Sequence, residues 1–215
     1  MPELISERRN YQAEVHFALG AIIQGIIVAA LGDEVAGILR TQSLLESIPV
    51  FFAAAQSLLI CIIFWYRFMD DYFFGFRVIV MTANTHFFFA CLYLALGLQQ
   101  LVAIRFVDVP RAWMALYVLL IATTVLGSRL LSSRARIIDR EGVREALDYD
   151  PGSKMFLVTY IVAVLCLLAW YAIPGVGVFW FEMAALSVSA LGLVLLAVSS
   201  IRMFRRHLEV GREAA

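Results

Sequence analysis

Charge is scarce in this chain. Asp, Glu, Lys and Arg make up 16% of its 215 residues, and lysine occurs once, at Lys154. Soluble domains carry about 25% charged residues, so a water-soluble globule is excluded. The formal net charge is zero, which leaves no overall field to draw in nucleic acid. Cysteine is sparse as well. Cys61, Cys91 and Cys166 show neither CxxC spacing nor a paired His, which removes zinc and disulfide readings and leaves three small core residues. None of the five prolines sits in the middle of an apolar run, so the broken helices of many transporters are not expected. HExxH and GxSxG are absent too. With no nucleophile beside a base and no spaced metal ligands, no cofactor or metal is expected.

What the chain has in abundance is apolar sequence: 62% hydrophobic residues and a mean hydropathy of +0.85. A hydrocarbon core roughly 30 Å thick requires about 20 apolar residues per helical crossing. Six runs qualify, at about 13–32, 48–68, 79–104, 111–130, 154–173 and 177–203. The expected fold is all-α, a single polytopic domain of six transmembrane helices using residues 1–215. The charged stretch 131–153 forms the 4–5 loop.

Basic residues are retained on the cytoplasmic side of a membrane, and here they divide unevenly. The N-terminus, the 2–3 turn, the 4–5 loop and the C-terminal tail together hold 14 of the 17, leaving Arg40, Arg105 and Arg111 for the other side. Both termini are therefore expected in the cytoplasm, in agreement with an even number of spans. The preference for Arg over Lys fits a GC-rich bacterial coding sequence and hence an inner membrane. The first apolar run lacks a small-residue cleavage pattern and reads as an anchor. Asp33, Glu34 and Glu46 make the outer 1–2 loop acidic.

Two helices carry polar faces. Ala13, His16, Gly20 and Gln24 recur at spacings of 3, 4 and 4 on helix 1, and His86, Ala90, Tyr93, Gly97 and Gln100 at 4, 3, 4 and 3 on helix 3. Such seams avoid lipid and look into the bundle or a cavity, either as helix packing or as the lining of a path. Helix 2 adds Gln56. Its far end places Arg67 three and four residues before Asp70 and Asp71, close to Asn84 in the following helix. Paired carboxylates at a wet helix end would attract a cation, so this end reads as an acidic cytoplasmic entrance. Glu182 lies one turn into helix 6 as an outer carboxylate. Expected lining residues are thus His16, Gln24, Gln56, His86, Tyr93 and Gln100.

The layout resembles bacterial relatives of the endosomal/lysosomal potassium channel family in its six helices, its aromatic-then-polar end to helix 2 and its Asn near the start of helix 3. That family's first-helix Arg-x-x-x-Phe-Ser-Asp is replaced here by Arg9 followed by Ala13, Glu14 and Val15. Its Trp followed by paired His is replaced by Trp65 followed by Asp70 and Asp71. No site is carried over from it.

The expected function is a small channel-like or transport-type protein of the inner membrane. The alternative is a non-catalytic membrane subunit that docks a cytoplasmic protein through the 4–5 loop and tail. A metal-assisted membrane enzyme built from Glu14, His16, Asp70, Asp71, Asn84 and His86 is the least supported reading. Expected partners are the lipid bilayer, further copies of the chain and a cytoplasmic protein, with no nucleic acid.

Overall fold

Backbone polar groups find no water inside a bilayer, so an apolar chain of this length has to satisfy them within helices. The computed structural model describes residues 2–43, 47–75, 79–80, 83–134, 136–137, 151–172 and 178–213. Six helices hold nearly all of them: α1 (Pro2–Thr41), α2 (Ile48–Asp70), α3 (Ala83–Ile104), α4 (Pro110–Arg134), α5 (Pro151–Ala172) and α6 (Val178–Glu213). A π turn, Asp71–Gly75, extends α2. Beyond it, β1 (Ile79–Val80) pairs antiparallel with β2 (Arg136–Ile137) in a two-residue ladder that ties the 2–3 turn to the start of the 4–5 loop.

Five stretches are long and apolar enough to cross a membrane: Glu14–Thr41, Ile48–Phe73, Asn84–Ile104, Pro110–Leu130 and Phe179–Glu209. The apolar part of α5, Leu157–Ala172, is shorter. The protein is therefore all-helical in its spanning part, with at least these five candidate crossings. Several helix bounds differ from those expected. α1 runs for 40 residues, about 60 Å at the helical rise, and takes Asp33 and Glu34 into helix instead of loop. Gly32 and Gly37 do not stop it because a helical glycine costs only about 1 kcal/mol, and no proline intervenes before Pro49. α3 begins at Ala83 and not at 79, and α6 runs ten residues past 203. The rest of the 4–5 loop, residues 138–150, and Glu46 lie outside the described residues.

The helices form a ring in which α1 packs on α2, α2 on α6, α6 on α5, α5 on α4, α4 on α3 and α3 on α1, while α2 also touches α4 across the middle. Side-chain pairs give the directions. Ile23 meets Gly97 and Glu34 pairs with Arg105, so α1 and α3 run parallel. Gln56 Nε2 donates to the Leu186 carbonyl at 3.1 Å and Gln56 Oε1 accepts from Ser189 Oγ at 2.6 Å, while Asp70 further along α2 meets His207 further along α6, so α2 and α6 are parallel as well. Each sequential neighbour is antiparallel, as where Gln99 Nε2 donates to Thr123 Oγ1 at 3.0 Å between α3 and α4.

Close packing at glycine sets the spacing between helices, since apolar tails give little drive for helix association and small residues let backbones approach. A Cβ added at Gly20 would lie 2.4 Å from the Phe68 ring, and one at Gly97 would lie 2.5 Å from Ile23 Cγ2. The α3 face opposite its seam is open, with Phe87 73% and Leu98 62% exposed.

Gly97→Leu is therefore expected to lower thermal stability in detergent strongly, since overpacking costs about 1–3 kcal/mol. Leu98→Ala on the open face should stay within about 0.5 kcal/mol of the parent. Equal losses for the two would show that the faces of α3 are reversed.

Candidate functional site

The far end of α2 gathers most of the buried ionisable chemistry among the described residues. Successive residues on a helix are turned by about 100°, so the adjacent Asp70 and Asp71 leave α2 toward different neighbours. Asp70 Oδ1 accepts from His207 Nδ1 of α6 at 2.7 Å. Asp71 Oδ2 accepts from the Tyr93 hydroxyl of α3. Arg67, one turn earlier, directs Nη1 to Met203 Sδ of α6 at 3.2 Å. The π turn begins at Asp71, and its wider winding marks many functional positions.

Aromatic rings wall this end. Tyr93 packs on Phe68 at a ring separation of 4.0 Å and on Phe89 at 4.6 Å. Phe89 meets His16 edge-on at 5.5 Å, and His16 stacks on His86 at 5.8 Å. On the other flank Phe17 lies against Trp65 and Tyr72. Asp70 is consequently only 7% exposed. The expected wet helix end is thus not seen at Asp70, whose carboxylate is turned to the buried His207, while Asp71 is half-buried.

A pair of ionisable groups buried in this way carries a large desolvation cost, which geometry and extra hydrogen bonds have to offset. The electrostatics fit: each carboxylate has its own donor on a different helix, and the Arg67 charge lies three and four residues away. Chemically, the cluster can hold a proton between Asp70 and His207, or exchange its internal donors for a cation.

Of the expected lining residues, His16, His86 and Tyr93 are brought to this end, and Gln24 and Gln100 lie buried further along the α1–α3 seam. Gln56 lies elsewhere, with both ends of its amide engaged by α6. Asn84 is exposed at the start of α3. Glu182 is half-buried at the opposite end of the bundle, near Arg111, whose guanidinium sits 5.4 Å over the Trp170 ring. Among the described residues no three His, Cys, Asp or Glu side chains converge as metal ligands do.

Sequence reasoning missed His207 and Met203, which stand among Arg202, Arg205 and Arg206 in the C-terminal tail. A signal exists. Ser189, Leu193, Leu196, Ser200, Met203 and His207 recur at spacings of 4, 3, 4, 3 and 4, and all are buried. The inward face of α6 thus continues well past its apolar run.

Compared with known proteins, the chain matches no family model, no curated protein and no solved structure.

Removing one partner of a buried pair leaves an uncompensated polar group, so His207→Ala is expected to cost about 3–5 kcal/mol. Replacing both Asp70 and His207 by Leu should lie close to the parent, because an apolar pair of similar volume avoids the desolvation cost. Thermal unfolding in detergent checks both. A double variant no more stable than His207→Ala would mean that the pair is not the reason for the loss.

Proposed function

We propose that the protein is a small inner-membrane transport-type or channel-like protein, with α1 and α3 supplying a polar lining and a cation entering at the end that bears Asp70 and Asp71. The observation carrying this reading is that two carboxylates are retained inside a membrane bundle and are each bound by a different helix. Ionisable groups at such positions are costly and mark ion and proton pathways. The arrangement has the character of a latch. A cation that competes with His207 and Tyr93 for the carboxylates would free the end of α2 from α6 and α3 together.

In this reading the chain crosses the membrane six times with both termini cytoplasmic. The 14-to-3 division of basic residues supports it. So do the contacts that put Glu34 with Arg105 at one end and Asp70 with His207 at the other. α5 is 22 residues long, about 33 Å, and Lys154 near its start can extend its charge toward the headgroups, which supports counting α5 as the sixth crossing. Reporter fusions at residues 40, 75, 108, 142, 175 and 215 should then read out, in, out, in, out, in. A cytoplasmic signal at 175 would contradict six spans.

Transport is tested in liposomes. Asp70→Asn with Asp71→Asn keeps hydrogen-bonding side chains of the same size but removes both charges, and it should lower proton or alkali-cation flux at least several-fold in folded protein. Wild type that moves no cation at any voltage or pH would overturn the reading. It would favour instead a subunit that docks a cytoplasmic protein, for which the support is that α6 continues as one helix through Arg202, Arg205 and Arg206 to Glu213 and packs on the π turn of the 2–3 connection.

A further inference from the structure

Where the middle of α1 and α2 meets the end of α3 and the start of α4, the four helices line a small cavity that includes Ile27, Ser57, Cys61, Gln100, Trp113 and Tyr117, with room for about one water molecule. Part of its polar surface is already satisfied. Trp113 Nε1 donates to Ser57 Oγ at 2.9 Å, and that hydroxyl donates to the Ala53 carbonyl at 2.9 Å. The Cys61 thiol points to Gln100 Oε1 at 3.9 Å. Gln100 Nε2 and the Tyr117 hydroxyl have no hydrogen-bond partner among the described residues, although Gln100 is 3% and Tyr117 1% exposed.

We propose that this cavity is a binding site for a single neutral hydrogen-bond acceptor of the size of water, and not for a metal or alkali cation. An unpartnered buried donor costs about 1–3 kcal/mol, and here two residues that carry such groups, Gln100 and Tyr117, line one small space. Gln100 Nε2 offers only N–H donors, and the Tyr117 hydroxyl can donate as well. A guest with two lone pairs answers both. A cation requires carboxylate or carbonyl oxygens. Among the described residues no carboxylate lines the cavity, and the amide oxygen of Gln100, Oε1, is turned to the thiol. Nor do the described walls offer an anion a Lys, Arg or His. The remaining lining is apolar, and Trp113 and Tyr117 on it stack at 5.5 Å.

The position adds a consequence. His16, Gly20, Gln24 and Ile27 share one face of α1 at spacings of 4, 4 and 3, so the cavity terminates the polar seam that starts at the ionisable cluster. Gln24 Oε1, without a hydrogen-bond partner among the described residues, adds an acceptor between the two. Under the transport reading, on which this consequence alone rests, a proton passed through the guest's lone pairs fits this level and a dehydrated alkali ion does not.

The test is a high-resolution structure of the full chain in lipid, with separate crystals exposed to xenon and to rubidium. The expected result for wild type is a water-sized peak within about 3.2 Å of both Gln100 Nε2 and Tyr117 Oη, and neither xenon nor rubidium in the cavity. Gln100→Leu with Tyr117→Phe should lose that peak, since apolar cavities stay dry. Should that variant fail to fold, the wild-type crystals decide alone. Xenon or rubidium in the wild-type cavity, or no guest density there, would overturn the proposal. These readings report occupancy, so they stand or fall separately from flux in liposomes.

Discussion

Two carboxyl groups on consecutive residues in an apolar surrounding each need a hydrogen-bond donor of their own. The end of α2 meets this constraint by sending Asp70 to His207 on α6 and Asp71 to Tyr93 on α3. Much of the bundle's arrangement is consistent with that division. α2 lies between α1 and α6 in the ring and also touches α4 and α3, so its polar end is held from two sides. The same helix is held further along by the Gln56 amide on α6 and by Ser57 under Trp113 of α4. Interhelical hydrogen bonds in membranes contribute about 0.6 kcal/mol each on average. Specificity of register is therefore a stronger reason for them than stability.

The packing and the polar chemistry are linked through the α1–α3 seam. Gly97 lets Ile23 approach, which draws the two parallel helices close enough for His16 to stack on His86 at one level and for Ile27 and Gln100 to meet one cavity at another. A bulkier residue at Gly97 would widen both. Stability and any passage along the seam thus depend on the same close contact, and a variant that loosens one is expected to disturb the other.

How much of this was legible in the sequence follows from the range of each signal. Helix number and the inward face of α3 depend on local periodicity, and Tyr93, Gly97 and Gln100 are buried as their spacing requires. The two carboxylates stood out because charge is rare in so apolar a chain. Their partners did not, because His207 lies 137 positions from Asp70 and no local rule connects them. The basic residues around His207 also masked the buried period that it completes. The cavity was illegible for a similar reason. Cys61, Gln100, Trp113 and Tyr117 come from three helices, and a Tyr or Cys in an apolar run looks like ordinary core until its neighbours are known. The length of α1 was misjudged because Asp33 and Glu34 suggest a loop, whereas a helix end can carry them into the interface.

On the proposed transport reading, the Asp70–His207 pair holds a cation-handling end of α2 in place, and exchanging the two residues tests this most directly. Asp70→His combined with His207→Asp keeps the pair and reverses its direction. Cation flux into liposomes should be lost in Asp70→His alone and largely regained in the exchanged protein. Folded exchanged protein with no more flux than the single variant would contradict the account.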